Sequence, residues 1–468
     1  MTEPKRTLFI DDGDIVEKRN VDRITHAAEK YEGNPVVSAD QPWEGDDVSM
    51  AGTVRSDNGR FRMWYQNTAN QTNFNLYAES GDGINWAKPL LGMYEDFSGS
   101  TENNIYMSRV GIRSGDLAPV RIKQDHNQNV LHTPHMGPGR AYTMLSYDYG
   151  RAPYGPYDGY CLAFSNDGLH WTDGPEAPVI PGHADVGRFM WDEDAQKFRG
   201  IVKSFLNVRG IARRSINWTE SDDGFDWVMP TPALVPDLQD EEWTDSREGH
   251  YTQFYGMPIF RYETMLLGLL QVFRCTDGDN SSDGTTDVQL ASSRDGRNWD
   301  RVGARTTVLE RSEIGSWDYG VVHTGNALVR DGDLVRTYYS GFNCRHGNHG
   351  IPPEGKRVAI GTASWRRDRF VGLRAGAAGG EVQITQEVEG SELHLNADAA
   401  GGSLVVELSQ DGRPLAGFEA SSFLALTDDS LDHVVCWRNG PAFSTINGKS
   451  VDIAIKLTNA ELFSIWWQ

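Results

Sequence analysis

The chain has 468 residues and a formal charge of −22, from 44 Lys and Arg against 66 Asp and Glu, with a pI near 4.9. Such a surface repels phosphate backbones and anionic lipid, so nucleic-acid or membrane-surface binding would need a local basic patch, and the sequence shows none. Hydrophobic residues make up 38%, with 50 Gly and 20 Pro, which is enough apolar material for a core interrupted by many turns.

At about 150 residues per domain the length corresponds to about three units, and two unequal domains are expected. No window approaches the roughly 18 apolar residues of a membrane span. The start, Met1 to Asp12, has no apolar signal region, so the expected location is the cytoplasm. Cys161, Cys275, Cys344 and Cys436 lie far apart without paired spacing and read as free thiols, with no disulfide framework and no Cys-based zinc site.

One short pattern, Ser-x-Asp-Gly-x-x-Trp, occurs four times. The copies are Ser80 to Trp86, Ser165 to Trp171, Ser221 to Trp227 and Ser293 to Trp299, and Ser364 to Phe370 is a degenerate fifth. Each copy predicts a hairpin. A β-rich run such as Leu76-Tyr77-Ala78 or Val288-Gln289-Leu290 enters Asp-Gly, the glycine supplies the positive φ of the turn, and the Trp opens the returning strand. Upstream of each hairpin lies another short run: Phe61 to Tyr65, Ala141 to Tyr147, Phe198 to Phe205, Met265 to Phe273 and Leu334 to Phe342. Each unit therefore has three or four strands. Five such units, with a large aromatic wedge between neighbouring sheets, predict an all-β fold with a five-bladed β-propeller over residues 1–374. The small-residue stretch Ala375 to Gly380 marks a boundary. From there to residue 468 short strands alternate with Gly- and Asp-rich turns, which predicts a β-sandwich in a supporting role, packed on its own propeller or on that of a second copy.

With its Ser-x-Asp-Gly-x-x-Trp hairpins and appended sandwich, the chain resembles the furanosidase-type glycoside hydrolases of families 32, 43, 62 and 68. The segments Leu8 to Asp12, Asn34-Pro35-Val36, Pro42-Trp43-Glu44-Gly45 and Phe61 to Tyr65 look closest to family-32-like bacterial proteins. The family-32 nucleophile motif Trp-Met-Asn-Asp-Pro-Asn-Gly is absent, as are Arg-Asp-Pro and Glu-Cys-Pro. The resemblance implies a propeller that cleaves glycosidic bonds with paired carboxylates, one protonating the leaving oxygen and one attacking the anomeric carbon or activating water. No cofactor is implied.

In such a propeller the working side chains come from the innermost strands, so carboxylates preceding each central strand are the candidates. In unit one, Asp47 is the candidate nucleophile or base. Strand alternation puts Asp46 and Asp47 on opposite faces, and either can be the one that faces the funnel, with Asp46 otherwise a substrate contact. In unit three, Asp185 with Arg188 resembles the carboxylate that holds sugar hydroxyls and stabilises the transition state, or else forms a structural ion pair. In unit four, Glu248 is the candidate general acid, since flanking aromatics raise a carboxyl pKa. His250 and Gln253 follow it as substrate contacts. If Gln253 occupies the acid's position, the acid is another group, such as Glu242 or Glu313, or the protein is inactive. In unit five, Asp318 and His323 flank a Gly-Val-Val strand as hydrogen-bonding groups, and Trp43 and Trp317 are sugar platforms or core. Unit two adds Asp125 as a substrate contact. Its Asp125-His126 and His132 to His135, with Cys344 to His349 of unit five, offer imidazoles and carboxylates for a divalent metal, but match no standard metal spacing, so no metal is expected.

The expected function is an exo-acting glycoside hydrolase, open also to transglycosylation, that removes a terminal furanoside such as fructose or arabinose from a small oligosaccharide. The alternatives are a non-catalytic glycan-binding propeller and a polysaccharide lyase using His250 and Tyr251. The acidic surface disfavours uronate polymers as substrate.

Overall fold

The computed structural model describes residues 4–57, 59–67, 74–108, 126–148, 158–245, 247–278, 282–347 and 355–468. Among them there is no α-helix, only short 3-10 turns such as Pro134–Met136, Gln239–Thr244 and Phe443–Thr445. Among the described residues no helix is long and apolar enough to cross a membrane.

Five antiparallel four-stranded units follow one another as blades around an axis. Blade 1 is Val48–Asp57, Arg60–Asn67, Phe74–Ser80 and Trp86–Ala87. Blade 2 is His126–His132, Tyr142–Asp148, Gly159–Ser165 and Trp171–Asp173. Blade 3 is Gly187–Asp192, Lys197–Val208, Ile211–Ser221 and Thr231–Leu234. Blade 4 is Tyr251–Gly256, Met265–Cys275 and Gly284–Ser293, with Asp300–Arg301 and Thr307–Leu309 as its outer edge. Blade 5 is Val321–Asp331, Leu334–Phe342 and Val358–Arg366, and its fourth strand is Glu29–Lys30 from the start of the chain, so that early and late segments close the ring.

The repeated motif builds both the turn and the contact between blades. In each copy the Ser hydroxyl accepts the glycine N–H, and the Asp carboxylate accepts the next two backbone N–H groups. The glycine φ is 71° at Gly83 and 79° at Gly168, a region that costs an L residue energy. The turn then docks on the preceding blade. Trp64 of blade 1 donates its indole N–H to the Gly168 carbonyl at 2.7 Å, and Tyr338 of blade 5 donates to the Gly83 carbonyl at 2.8 Å. Apolar clusters fill each gap between blades, for instance Trp64, Tyr77, Met144 and Trp171 between blades 1 and 2.

The sandwich is two packed sheets, and here the structure departs from the expected boundary at residue 374. One sheet takes Thr7–Leu8 and Asp22–Thr25 beside Val371–Ala375, Leu393–Asp398, Asp429–Val434 and Ala460–Trp467. The other takes Ile15–Arg19 beside Gly380–Glu387, Ser403–Gln410 and Ser450–Thr458. The reason lies in the run Leu8-Phe9-Ile10, whose successive side chains point opposite ways. Phe9 enters the sandwich core, while Leu8 and Ile10 enter the core between blades 4 and 5.

Candidate active site

At the axis the inner strands have no space for side chains on every residue, and bulges relieve the crowding. The ladder of blade 1 shifts register between Ser49 and Thr53, and a Cβ on Gly52 would sit 2.0 Å from the Trp64 carbonyl oxygen. Blade 5 shifts between Thr324 and Leu328, where Gly325 lies against Met50 and Gly52. Such bulges re-aim neighbouring side chains. Here they leave a cavity of about 130 Å³ at the end where the inner strands begin. Ser49 and Met50 of blade 1, Asp185 and Arg188 of blade 3, Tyr255 of blade 4, and His323 and Ser340 of blade 5 line it. Deeper along the axis, Asn326 of blade 5 donates to Asn129 of blade 2 at 2.5 Å and to the Phe189 carbonyl at 3.2 Å, a floor of amide hydrogen bonds. Beyond that floor a second cavity, of about 310 Å³, is lined by Arg55, His132, Trp191 and Glu193 among others.

Asp185 is half-buried and forms an ion pair with Lys203 at 2.6 Å. Lys203 is 4% exposed and sits in the second strand of blade 3, with its ammonium 4.6 Å above the Tyr255 ring. Burial lowers its pKa and the Asp185 charge opposes that shift. Arg188 donates to the Ala51 carbonyl at 3.0 Å, and its burial pushes the guanidinium pKa down to about 10. Tyr255 and His346 form a second group. His346 Nδ1 is 2.7 Å from the Ser282 carbonyl, which can only accept, so Nδ1 carries the proton. Nε2 is then the acceptor for the Tyr255 O–H at 2.9 Å. Burial raises the Tyr255 pKa to about 12 and lowers His346 to about 4. His323 stacks on Tyr255 with centroids 4.5 Å apart, and its pKa is driven well below the ordinary value by burial and by His346, Arg188, Lys203 and Arg214.

Of the residues singled out from sequence, Asp185, Arg188 and His323 line this cavity. Gln253 is fully buried behind it, accepting from the Arg214 backbone N–H at 3.1 Å and side chain at 3.0 Å. Of the two adjacent aspartates, Asp47 is the one turned inward. It is 6% exposed, accepts the Val358 N–H at 2.7 Å and lies 3.5 Å from the Lys356 ammonium, joining blades 1 and 5 outside the cavity lining. Asp46 is exposed, 3.7 Å from Arg357. Glu248 is exposed in the turn that leads into blade 4, as are Glu242 and Glu313 in their own segments, and none of the three lines the cavity. The expected pairing of Asp47 with Glu248 is therefore not assembled at the cavity wall.

The remaining candidates do not line the cavity. His250 stacks on Trp243. Trp43 is buried and donates to Asn104 at 2.7 Å. Trp317 stacks on Tyr339 over Gly341 and Gly361, and Asp318, fully buried, accepts from Lys30 at 2.6 Å and Tyr339 at 3.1 Å within blade 5. Burial closes the Trp43 indole to a sugar, and Tyr339 stacks on the half-buried Trp317. Asp125 lies outside the described residues, as does His349. Among the described residues no cluster of three His, Cys, Asp or Glu is placed to hold a metal ion.

Sequence reasoning missed Lys203, Tyr255 as a cavity residue, and the Tyr255–His346 pair. One signal was available: Lys203 interrupts the apolar run Phe198 to Phe205, where an inward lysine calls for a buried partner.

No family model matches the chain, and no curated protein does. Solved structures similar to it include a glycoside hydrolase, with 14% identity over 73% of this chain and 92% of the other at a TM-score of 0.46. A β-1,2-mannobiose phosphorylase from Listeria innocua in complex with β-1,2-mannobiose has 12% identity over 73% and 97% at a TM-score of 0.45. The catalytic domain of an α-L-arabinofuranosidase from Coprinopsis cinerea has 12% identity over 73% and 98% at a TM-score of 0.42.

Proposed function

We propose that the protein is an enzyme that cleaves the glycosidic bond of a terminal sugar seated in the axial cavity, a furanoside such as fructose or arabinose at the end of a small oligosaccharide. The observation that carries this reading is Asp185, a carboxylate on the cavity wall held by a buried lysine. A neighbouring ammonium favours the ionised carboxylate, which suits attack on an anomeric carbon, activation of water or stabilisation of an oxocarbenium-like transition state. The amide floor below the cavity supports an exo mode, because a chain end can enter where a continuous chain cannot pass. Protonation of the leaving oxygen falls to Glu248, exposed in the turn that leads into blade 4, or to Tyr255 on the cavity wall, and the two are separated by substitution.

The test is a proton NMR time course over fructosides, arabinofuranosides and common pyranosides, with the wild type beside Glu248→Gln and Tyr255→Phe. Release of a free sugar supports hydrolysis, and its first anomer reports retention or inversion. The variant that stops release identifies the acid. No product from any member of the panel removes the reading.

A second reading, a polysaccharide lyase, is favoured by the hydrogen-bonded Tyr255 and neutral His346, a proton-transfer pair beside cationic side chains. It predicts an unsaturated product absorbing in the near ultraviolet.

A further inference from the structure

We propose that Phe205 is a stacking platform for the second sugar of the ligand, the ring that stays outside when the terminal sugar is seated in the axial cavity. The inference rests on reading this cavity as the seat of a terminal sugar, and it adds a subsite that neither Asp185 nor the amide floor provides.

The hairpin that carries Phe205 outgrows its own blade. The inner strand of blade 3 begins at Gly187, which pairs with Val202, but the second and third strands stay paired on to Val208 and Ile211. In the other four blades, among the described residues, the second strand ends level with the start of the inner strand or within one residue of it. The cavity lies at the end where the inner strands begin, so the overhang from Lys203 to Val208 extends past it.

The ladder along this overhang has no bulge, so alternate side chains share a face. Lys203 fixes which face that is. Its ammonium pairs with Asp185 on the cavity wall at 2.6 Å and lies 4.6 Å from the centre of the Tyr255 ring. Phe205 follows on the same face about 7 Å further out. The guanidinium of Arg214, its partner across the ladder, stands near both rings, 5.4 Å from the centre of Tyr255 and 5.5 Å from that of Phe205. One cation thus separates the platform from the cavity wall, a step of about one sugar ring.

Scattered exposed apolar side chains are ordinary, and Phe205 is set apart by its surroundings. Of the three aromatic side chains exposed among the described residues, Phe97 stacks on Phe74 with centroids 4.7 Å apart and Tyr31 lies against Gly33. Phe205 meets no other ring among the described residues. The Arg214 contact uses one face of it, and an exposure of 53% leaves much of the remainder in solvent. An aromatic face is negative and a sugar presents polarised C–H groups on its apolar side, so the two stack without a hydrogen bond. Such a platform rewards the presence of a second ring and makes little demand on its hydroxyls.

The experiment is isothermal titration calorimetry of the full chain with sucrose, arabinobiose and β-1,2-mannobiose, each beside the methyl glycoside of its terminal sugar, which lacks the second ring. Wild type, Phe205→Ala, Phe205→Trp and Ile211→Ala are compared after thermal melts confirm folding. Ile211 is exposed on the opposite face of the same hairpin and serves as the control. For a disaccharide that binds, the expected result is an affinity about five- to tenfold weaker in Phe205→Ala and kept in Phe205→Trp and Ile211→Ala. The methyl glycoside is expected to lose less than about twofold in Phe205→Ala. Saturation-transfer NMR is expected to show contact to the second ring in the wild type and to lose it in Phe205→Ala. An equal loss for disaccharide and methyl glycoside overturns the inference, as does no loss for either or the same loss in Ile211→Ala. Binding of no member of the panel removes the platform together with the sugar seat. A disaccharide preference that needs Phe205, without turnover of any glycoside, keeps the platform and removes the catalytic reading, and turnover indifferent to Phe205 does the reverse.

Discussion

At the scale of single residues, side chains divide into those that serve the cavity and those that hold blades together, and the division is measurable. Trp43→Phe and Asp318→Asn each remove a buried hydrogen bond or ion pair away from the cavity. Both are expected to lower stability by about 1–3 kcal/mol in chemical denaturation while leaving KM for any substrate unchanged. A raised KM with unchanged stability would return these residues to the sugar site. Trp64, fully buried between blades 1 and 2, packs that gap and donates to the Gly168 carbonyl, and Trp64→Ala is expected to cost about 3–5 kcal/mol. The aspartate and arginine of unit three were legible in sequence because they precede a short aromatic strand at the point where a propeller's inner strand begins. Tyr255 and His346 were not, because their pairing joins the inner strand of blade 4 to a loop after the second strand of blade 5. No local pattern records a contact across 91 positions.

At the scale of the element, the repeated hairpin was legible down to its hydrogen bonds, since Ser, Asp, Gly and Trp each have one task at a fixed offset. What the repeat did not contain was the direction in which the turn docks, a contact between blades. The motif also predicts an acid sensitivity. Burial alone would raise the Asp167 and Asp295 carboxyls, but backbone N–H groups two and three residues on, with His170 or Asn298, outweigh it and hold both near 2 against an ordinary 3.8. Folded-state values below the unfolded ones mean stability that is fully present above about pH 4 and lost as pH falls through about 2. The thermal midpoint is expected to drop across that window, and Asp167→Ala with Asp295→Ala to show a shallower drop from a lower starting point. A wild-type midpoint flat from pH 4 to pH 2 would contradict this assignment. Gly168 has a φ of 79°, and the Trp64 ring lies only 2.8 Å from where a Cβ would project. The position has no tolerance for Ala, and that substitution is expected to destabilise.

At the scale of the whole molecule, the sandwich and the propeller share a seam. The chain's first strands belong to the sandwich, and Glu29–Lys30 then closes blade 5 before blade 1 begins. Composition marked the change near residue 375 but could not show that Leu8-Phe9-Ile10 joins two cores, because an alternating apolar run reads alike whether its faces bury in one domain or two. Phe9→Ala, which opens the sandwich side of that seam, is expected to cost about 3–5 kcal/mol and to split a single calorimetric transition into two. The axial cavity lies where the five blades converge, so the claim that organises the molecule is that this convergence is the reaction site. Turnover of the glycoside that the wild type consumes, measured for Asp185→Asn beside Asp47→Asn with both variants shown to be folded, tests it most directly. The expected result is a kcat loss on the order of 10²–10⁴ for Asp185→Asn and a far smaller one for Asp47→Asn. Full activity in Asp185→Asn would contradict the claim.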